Sequence, residues 1–216
     1  HKSILLDIYK FIKNKESLIC VDLYGYNLLL KESKLNKPFI NMSHFKIVCT
    51  DYKKDMKELI KTLKDLYKDD IKIVEHYPFF QFYGNSVRVF YKDKMVLWGF
   101  DSNRKCIPYH TVPAFCVKNN KLEVAQKDTL RIGTYPYIIM MNLILTIYHR
   151  VNKNKNLMYN QQILTSHILA MRKHYFNTSK KNFLDKSMFE ELTLDCIGEH
   201  VDVIREHIEG IKKKRE

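Results

Sequence analysis

A change of hydrophobic period part-way along the chain narrows the possible folds more than its composition does. Up to about residue 134, apolar runs of strand length alternate with stretches whose apolar residues recur every three or four positions; from Tyr135 onward only the helical period is left. That order predicts an α+β fold: an α/β part over 1–134 and a helical part over 135–216 packed on it as one continuous domain. At 216 residues and 45% hydrophobic content the chain can bury a core of that kind.

Ile4, Ile8, Phe11 and Ile12 predict an opening amphipathic helix with Lys10, Lys13 and Lys15 on its other face. Leu18-Ile19-Cys20-Val21 reads as a buried strand, and a turn through Asp22 to Asn27 leads into a helix carrying Leu28, Leu29 and Leu30. Phe45 to Cys49 is the next strand. Thr50 or Asp51 then caps a helix whose Met56, Leu59, Ile60, Leu63, Leu66 and Tyr67 form one face. Ile71 to Val74, Val87 to Tyr91 and Met95 to Phe100 complete a mixed sheet, the last two joined through a Lys92-Asp93-Lys94 turn. Later helices are expected to about Val151, from about Tyr159 to Phe176, and through Ile197, Val201, Ile204, Ile208 and Ile211 to the basic tail Lys212-Lys213-Lys214-Arg215.

Several function classes are set aside at this point. The longest apolar run, Tyr135 to Tyr148, is shorter than the roughly 18 residues of a bilayer span and is read as a core helix, so no membrane partner is expected. The five cysteines are odd in number and scattered, with no C-x-x-C, which argues against a disulfide framework or a structural zinc and for buried thiols in a reducing, cytoplasmic setting. The chain opens on His1-Lys2-Ser3, already inside a helical pattern, and is read as a piece of a longer protein. A net charge of +13 favours a polyanionic partner, although 30 of the 37 basic residues are Lys and 15 positions are Asn, a compositional bias that makes the arginines the more informative cations.

The chemistry legible in the strands is defined more by what is missing. Gly25, between a strand and a helix, could let a turn approach a phosphate, but one glycine is a weak signal. Two-metal phosphoryl transfer needs two carboxylates one residue apart on a strand and a third on a neighbour. The segment Asn41-Met42-Ser43-His44-Phe45-Lys46-Ile47 has none, and the partner strand offers Ser86, Arg88 and Phe90. Asp22 and Asp51 lie at strand ends, where Asp51 is better read as a helix cap. His167/His174 and His200/His207, seven apart, are too widely spaced for a metal pair. Phe79-Phe80-Gln81-Phe82-Tyr83 and Phe90-Tyr91 are read as sheet core in preference to base-stacking platforms, and Asn103-Arg104-Lys105 with Tyr109 as a loop that either meets a phosphate or is simply solvated.

Two stretches carry a family resemblance: Gln81-Phe82-Tyr83-Gly84-Asn85-Ser86-Val87-Arg88-Val89-Phe90-Tyr91 followed by Asp101-Ser102-Asn103-Arg104-Lys105-Cys106-Ile107-Pro108-Tyr109, and Leu130-Arg131-Ile132-Gly133-Thr134-Tyr135 running into Met140-Met141. They resemble the poly(A) polymerase catalytic subunits of poxviruses and giant DNA viruses. The resemblance implies a nucleotidyltransferase-like mixed sheet with flanking helices, followed by a helical C-terminal part. Active members carry a Gly-Gly or Gly-Ser turn and then an Asp-x-Asp pair; here the turn is Tyr24-Gly25-Tyr26-Asn27 and the pair falls near Ser43 and Phe45.

That departure implies a second, degenerate half of such an enzyme, with no catalytic residue to carry over, no metal ligand, and Mg²⁺ and ATP expected only for an active half. The expected task is single-stranded RNA holding, support of the active half of the same polypeptide, or homodimer formation during mRNA 3′-polyadenylation, in the cytoplasm at a viral replication compartment or in the virion. Arg104, Lys105, Arg131, Arg150, Arg172 and Lys173 are the residues expected to contact RNA phosphates. A self-standing nucleotidyltransferase using Asp22 and Asp51, and a purely structural interaction module, are the alternatives.

Overall fold

The computed structural model describes residues 2–79, 81–118, 120–182, 186–190 and 196–197. Helix α1 (Lys2–Ile12) forms where expected, with Ile4, Ile8 and Ile12 at most 1% exposed. It stops before Asn14, whose positive φ of 62° ends the repeat and whose side chain receives the Thr129 N–H and donates to Asp128.

Strand β1 (Leu18–Val21) and helix α2 (Leu23–Ser33) follow, then β2 (Phe45–Cys49) and α3 (Tyr52–Tyr67). The hairpin partners β4 (Ser86–Tyr91) and β5 (Lys94–Asp101) come after β3 (Ile71–His76), and Lys92 and Asp93 turn between them with φ of 49° and 61°. Next come β6 (Ile107–Lys118), β7 (Lys121–Gly133), α4 (Tyr135–Val151), α5 (Lys155–Ser179) and the two-residue β8 (Cys196–Ile197). Asn154 caps α5 by accepting the Leu157 N–H at 3.1 Å.

The strands form one mixed sheet ordered β3-β4-β5-β2-β1-β7-β6-β8. Among the described strands only β2–β5 and β1–β7 are parallel. Period-two alternation gives the sheet two apolar faces. Leu18, Cys20, Phe45, Ile47, Val87, Val89 and Leu97 join a core with α1 and the Met56, Leu59 and Leu63 stripe of α3, and that core continues through α2 and α5. Ile19, Val21, Val48, Trp98 and Phe100 join a second core, closed by Tyr137, Met141, Ile144 and Leu145 of α4.

Several expectations are corrected. The long β6–β7 hairpin occupies a stretch with no predicted element, and Tyr109 stands on a strand rather than a loop. The segment after Tyr135 is not helices alone, because β8 adds a strand beside β6; Ile197 therefore belongs to a strand, while Val201, Ile204, Ile208, Ile211, His200, His207, the tail from Lys212 and Phe80 lie outside the described residues. Leu66 is 58% exposed, since the last turn of α3 is held instead by Tyr67, which donates to Asp7 at 2.6 Å and meets the Tyr91 ring edge-on. Asp51 does stand at the first position before α3, but its side chain makes no capping hydrogen bond. Cys106 is held in a disulfide, which scattered sequence positions cannot reveal; Cys20 and Cys49 are buried free thiols, and burial pushes the Cys20 thiol up to about 12.

Gly25 lies within the first turns of α2, not in an open turn. A Cβ there would come within 2.9 Å of Ile138 Cγ1, so the glycine serves the close approach of α4 to α2 and leaves no turn through which a phosphate could reach the backbone.

Candidate functional site

The strand expected to carry metal-binding carboxylates at Ser43 and Phe45 has none there, and the next residue along it, Lys46, is a buried cation. Asp22, at the end of β1 with φ of 60°, and Lys46, on β2, are brought together by the antiparallel register that pairs Val21 with Lys46. Lys46 Nζ donates to Asp22 Oδ2 at 2.8 Å, and His44 Nε2 lies 3.3 Å from the same oxygen. Burial favours the neutral acid, but the Lys46 charge and His44 outweigh it and hold the Asp22 carboxyl well below the usual carboxylate range. Lys46 also reaches Gln161 Oε1 of α5 at 3.5 Å, and Gln161 Nε2 donates to Asn142 Oδ1 of α4 at 2.6 Å. Helices α4 and α5 therefore close over the pair.

His149, on α4, borders this cluster. Burial, then the charges of Lys46 and Arg88, lower its pKa to about 4, so it is neutral at pH 7. The donor set does not suit Mg²⁺: a carboxylate already neutralised by an ammonium, beside imidazole and amide groups, is not an oxygen cage for a hard cation. Asp51 cannot complete one. The register Leu18↔Cys49 to Val21↔Lys46 puts Asp22 and Asp51 at opposite ends of β2, roughly 15–20 Å apart by strand rise.

The six cations expected to meet RNA are spread over four places: the loop after β5, β7, α4 and α5. Arg104 and Lys105 follow β5, where Arg104 is exposed with φ of 59° and Lys105 donates to the carbonyls of Gln81 and Phe82. Arg131 on β7 lies over the Tyr109 ring at 4.5 Å and pairs with Glu16 at 3.5 Å. Arg150 is exposed near the end of α4. Arg172 on α5 lies over Phe176 and Tyr135 at 4.9 and 5.5 Å, and its neighbour Lys173 is exposed. Of the aromatics, Phe79 and Tyr83 pack with Phe100 and Tyr148, as expected of sheet core, but Phe82 is 41% exposed and does not join it. His167 is engaged with Tyr26 OH at 3.4 Å, and no group of three metal-capable side chains gathers among the described residues.

Sequence reasoning placed Arg88 on the right strand but missed its surroundings. The β4–β5 register sets Arg88 opposite Trp98, and the guanidinium carbon lies 3.8 Å above the indole and 5.3 Å from the Tyr148 ring. The signal available was the alternation Ser86, Arg88 on β4 with Trp98, Phe100 on β5, readable only once the hairpin register is known.

Residues 2–216 match the family described as "APMV, Putative poly(A) polymerase, catalytic subunit, C-terminal". The chain belongs to that family. Within this poly(A) polymerase family it is 23% identical over 222 residues to the "Putative poly(A) polymerase catalytic subunit" of Acanthamoeba polyphaga mimivirus, covering 94% of the chain and 38% of the relative. The crystal structure of the Megavirus polyadenylate synthase superposes with a TM-score of 0.77 at 20% identity, covering 100% of the chain and 44% of that protein. The chain thus spans less than half the length of both relatives, and it shares the mixed α+β fold of the matched part of the Megavirus structure.

Proposed function

We propose that this chain is a non-catalytic, nucleotidyltransferase-like part of a viral poly(A) polymerase, which holds single-stranded RNA or supports an active half during mRNA 3′-polyadenylation. One observation carries the reading: the strand that would supply paired carboxylates has Ser43 and Phe45 in their place, and the cation that follows, Lys46, is buried against Asp22 beneath α4 and α5. Mg²⁺ and ATP then belong to the remainder of a polypeptide of the length its relatives have. Cytoplasmic action, at a viral replication compartment or in the virion, belongs to the same proposal. No helix among the described residues is long and apolar enough to cross a membrane.

The RNA arm of the proposal is supported by the +13 net charge and by the exposed Arg104, Arg150 and Lys173. Each phosphate contact on a single strand contributes about −0.7 to the slope of log affinity against log salt. The expected result is salt-sensitive binding of single-stranded RNA by the chain, little dependence on sequence, and a slope flattened by about 0.7 in Arg104→Ala and in Lys173→Ala. Mg²⁺-dependent addition of adenylate to an RNA primer by the chain alone, abolished by Asp22→Asn in a folded variant, would overturn the non-catalytic reading. A flat salt dependence would move the function to subunit interaction.

A further inference from the structure

Beside the Asp22–Lys46 pair, β3, β4 and β5 gather hydrogen-bonding groups for which the protein supplies no partner. Arg88 Nε and Nη2, Trp98 Nε1, His76 Nε2, Tyr83 OH and Ser86 Oγ are buried atoms without one, while the rest of the Arg88 guanidinium is hydrogen-bonded with Tyr148. The ladder puts them together: His76 pairs with Ser86, Ser86 with Phe100 and Arg88 with Trp98, so these side chains share one face of the sheet. Tyr83 joins them by packing edge-on against Phe100, with ring centroids 4.9 Å apart. Ser86, Trp98 and Tyr83 are 0%, 1% and 2% exposed, whereas Arg88 keeps partial access to solvent.

The guanidinium is the centre of this group. None of the ion pairs among the described residues involves Arg88. A half-buried cation and several orphaned donors are costly unless something with complementary charge and acceptors meets them. Guanidinium and indole can only donate, and the hydroxyls and imidazole can donate as well. A carboxylate offers its acceptor sites in one plane, the plane in which a guanidinium fork binds it. The oxygens of a phosphate are disposed tetrahedrally, so that while Arg grips two of them, acceptor sites outside that plane face the indole, imidazole and hydroxyl groups.

We propose that Arg88, surrounded by Trp98, His76, Tyr83 and Ser86, is a phosphate-binding site that takes a phosphate group of RNA or of a nucleotide without a metal ion. Naming RNA as a source rests on the function proposed above; the site itself does not.

Trp98 is the chain's only tryptophan, so its emission reports this site alone. Oligoadenylate RNA, ATP and inorganic pyrophosphate are each titrated into the chain in the presence of EDTA at fixed ionic strength, with RNA binding followed in parallel by anisotropy of a labelled strand. A saturable change in Trp98 emission is expected with a phosphate probe and not with chloride. The dissociation constant should rise at least tenfold in Arg88→Gln, less in Arg88→Lys, and severalfold in Ser86→Ala. A response to RNA alone identifies a phosphodiester as the ligand, and equal responses to ATP and pyrophosphate identify a nucleotide phosphate. Emission unmoved by every probe, while anisotropy still reports RNA binding, overturns the site and leaves the RNA reading intact. A pyrophosphate response without RNA binding does the reverse. Should Arg88→Gln not fold, the titration of the parent chain and of Ser86→Ala decides.

Discussion

At the scale of single residues, the buried Asp22–Lys46 pair governs both stability and what the site can do. Removing one partner strands the other as an unpaired buried charge, so Asp22→Ala should cost about 3–5 kcal/mol in denaturant unfolding, and Asp22→Leu with Lys46→Met should recover most of it. Two groups make stability depend on pH. Asp22 has a lowered folded pKa, so its contribution is complete above the ordinary carboxylate pKa of about 4 and is lost as pH falls below that. His149 is held down to about 4, so the unfolded chain binds a proton that the folded one does not as pH falls from about 6.5 towards that value. Melting temperature should therefore drop across pH 6.5 to 4.5, and His149→Gln should flatten that part of the profile. Lys46 and Asp22 were both visible in the sequence; their contact was not, because it depends on which residues of β1 and β2 face each other.

Among the elements, α3 was the most legible. Leu63 is 0% exposed, so Leu63→Ala should cost about 2–5 kcal/mol, whereas Lys61→Ala and, against the periodicity, Leu66→Ala should cost little in the same melt. Gly25→Ala reverses the usual helix preference. An exposed helical glycine gains up to about 1 kcal/mol from Ala, but here the added carbon meets Ile138, so the variant should be destabilised and Ile138→Ala should partly rescue it. The β6–β7 hairpin escaped notice because Pro108 and Pro113 speak against a strand interior. Pro113 is tolerated at the register shift between Pro113 and Ala114, where the ladder is already interrupted, and Pro108 lies near the strand end.

For the molecule as a whole, the eight-stranded sheet keeps α4 over one face, and with it Arg88, Lys46, His149 and Trp98 share a single layer between sheet and helix. The charge of the whole chain predicts salt-dependent RNA binding, but the structure divides its cations between those already engaged, such as Arg131 with Glu16 and Tyr109, and those left exposed, such as Arg104 and Lys173. Arg131→Ala should consequently lower the melting temperature more than Arg104→Ala while flattening the RNA salt slope less, a contrast that parallel melts and salt titrations would read directly.

By itself the sequence determined β1, β2, the α3 face, the β4–β5 hairpin and the span of α4, because each is written in a repeat only a few residues long. It also determined that no Asp or Glu occurs from Asn41 to Ile47. Only the tertiary structure decided that Lys46 answers Asp22, that Gln161, 115 residues away, closes over it, and that Arg88 faces Trp98. Such contacts are set by strand register and by helices returning from distant segments, and no local period encodes them.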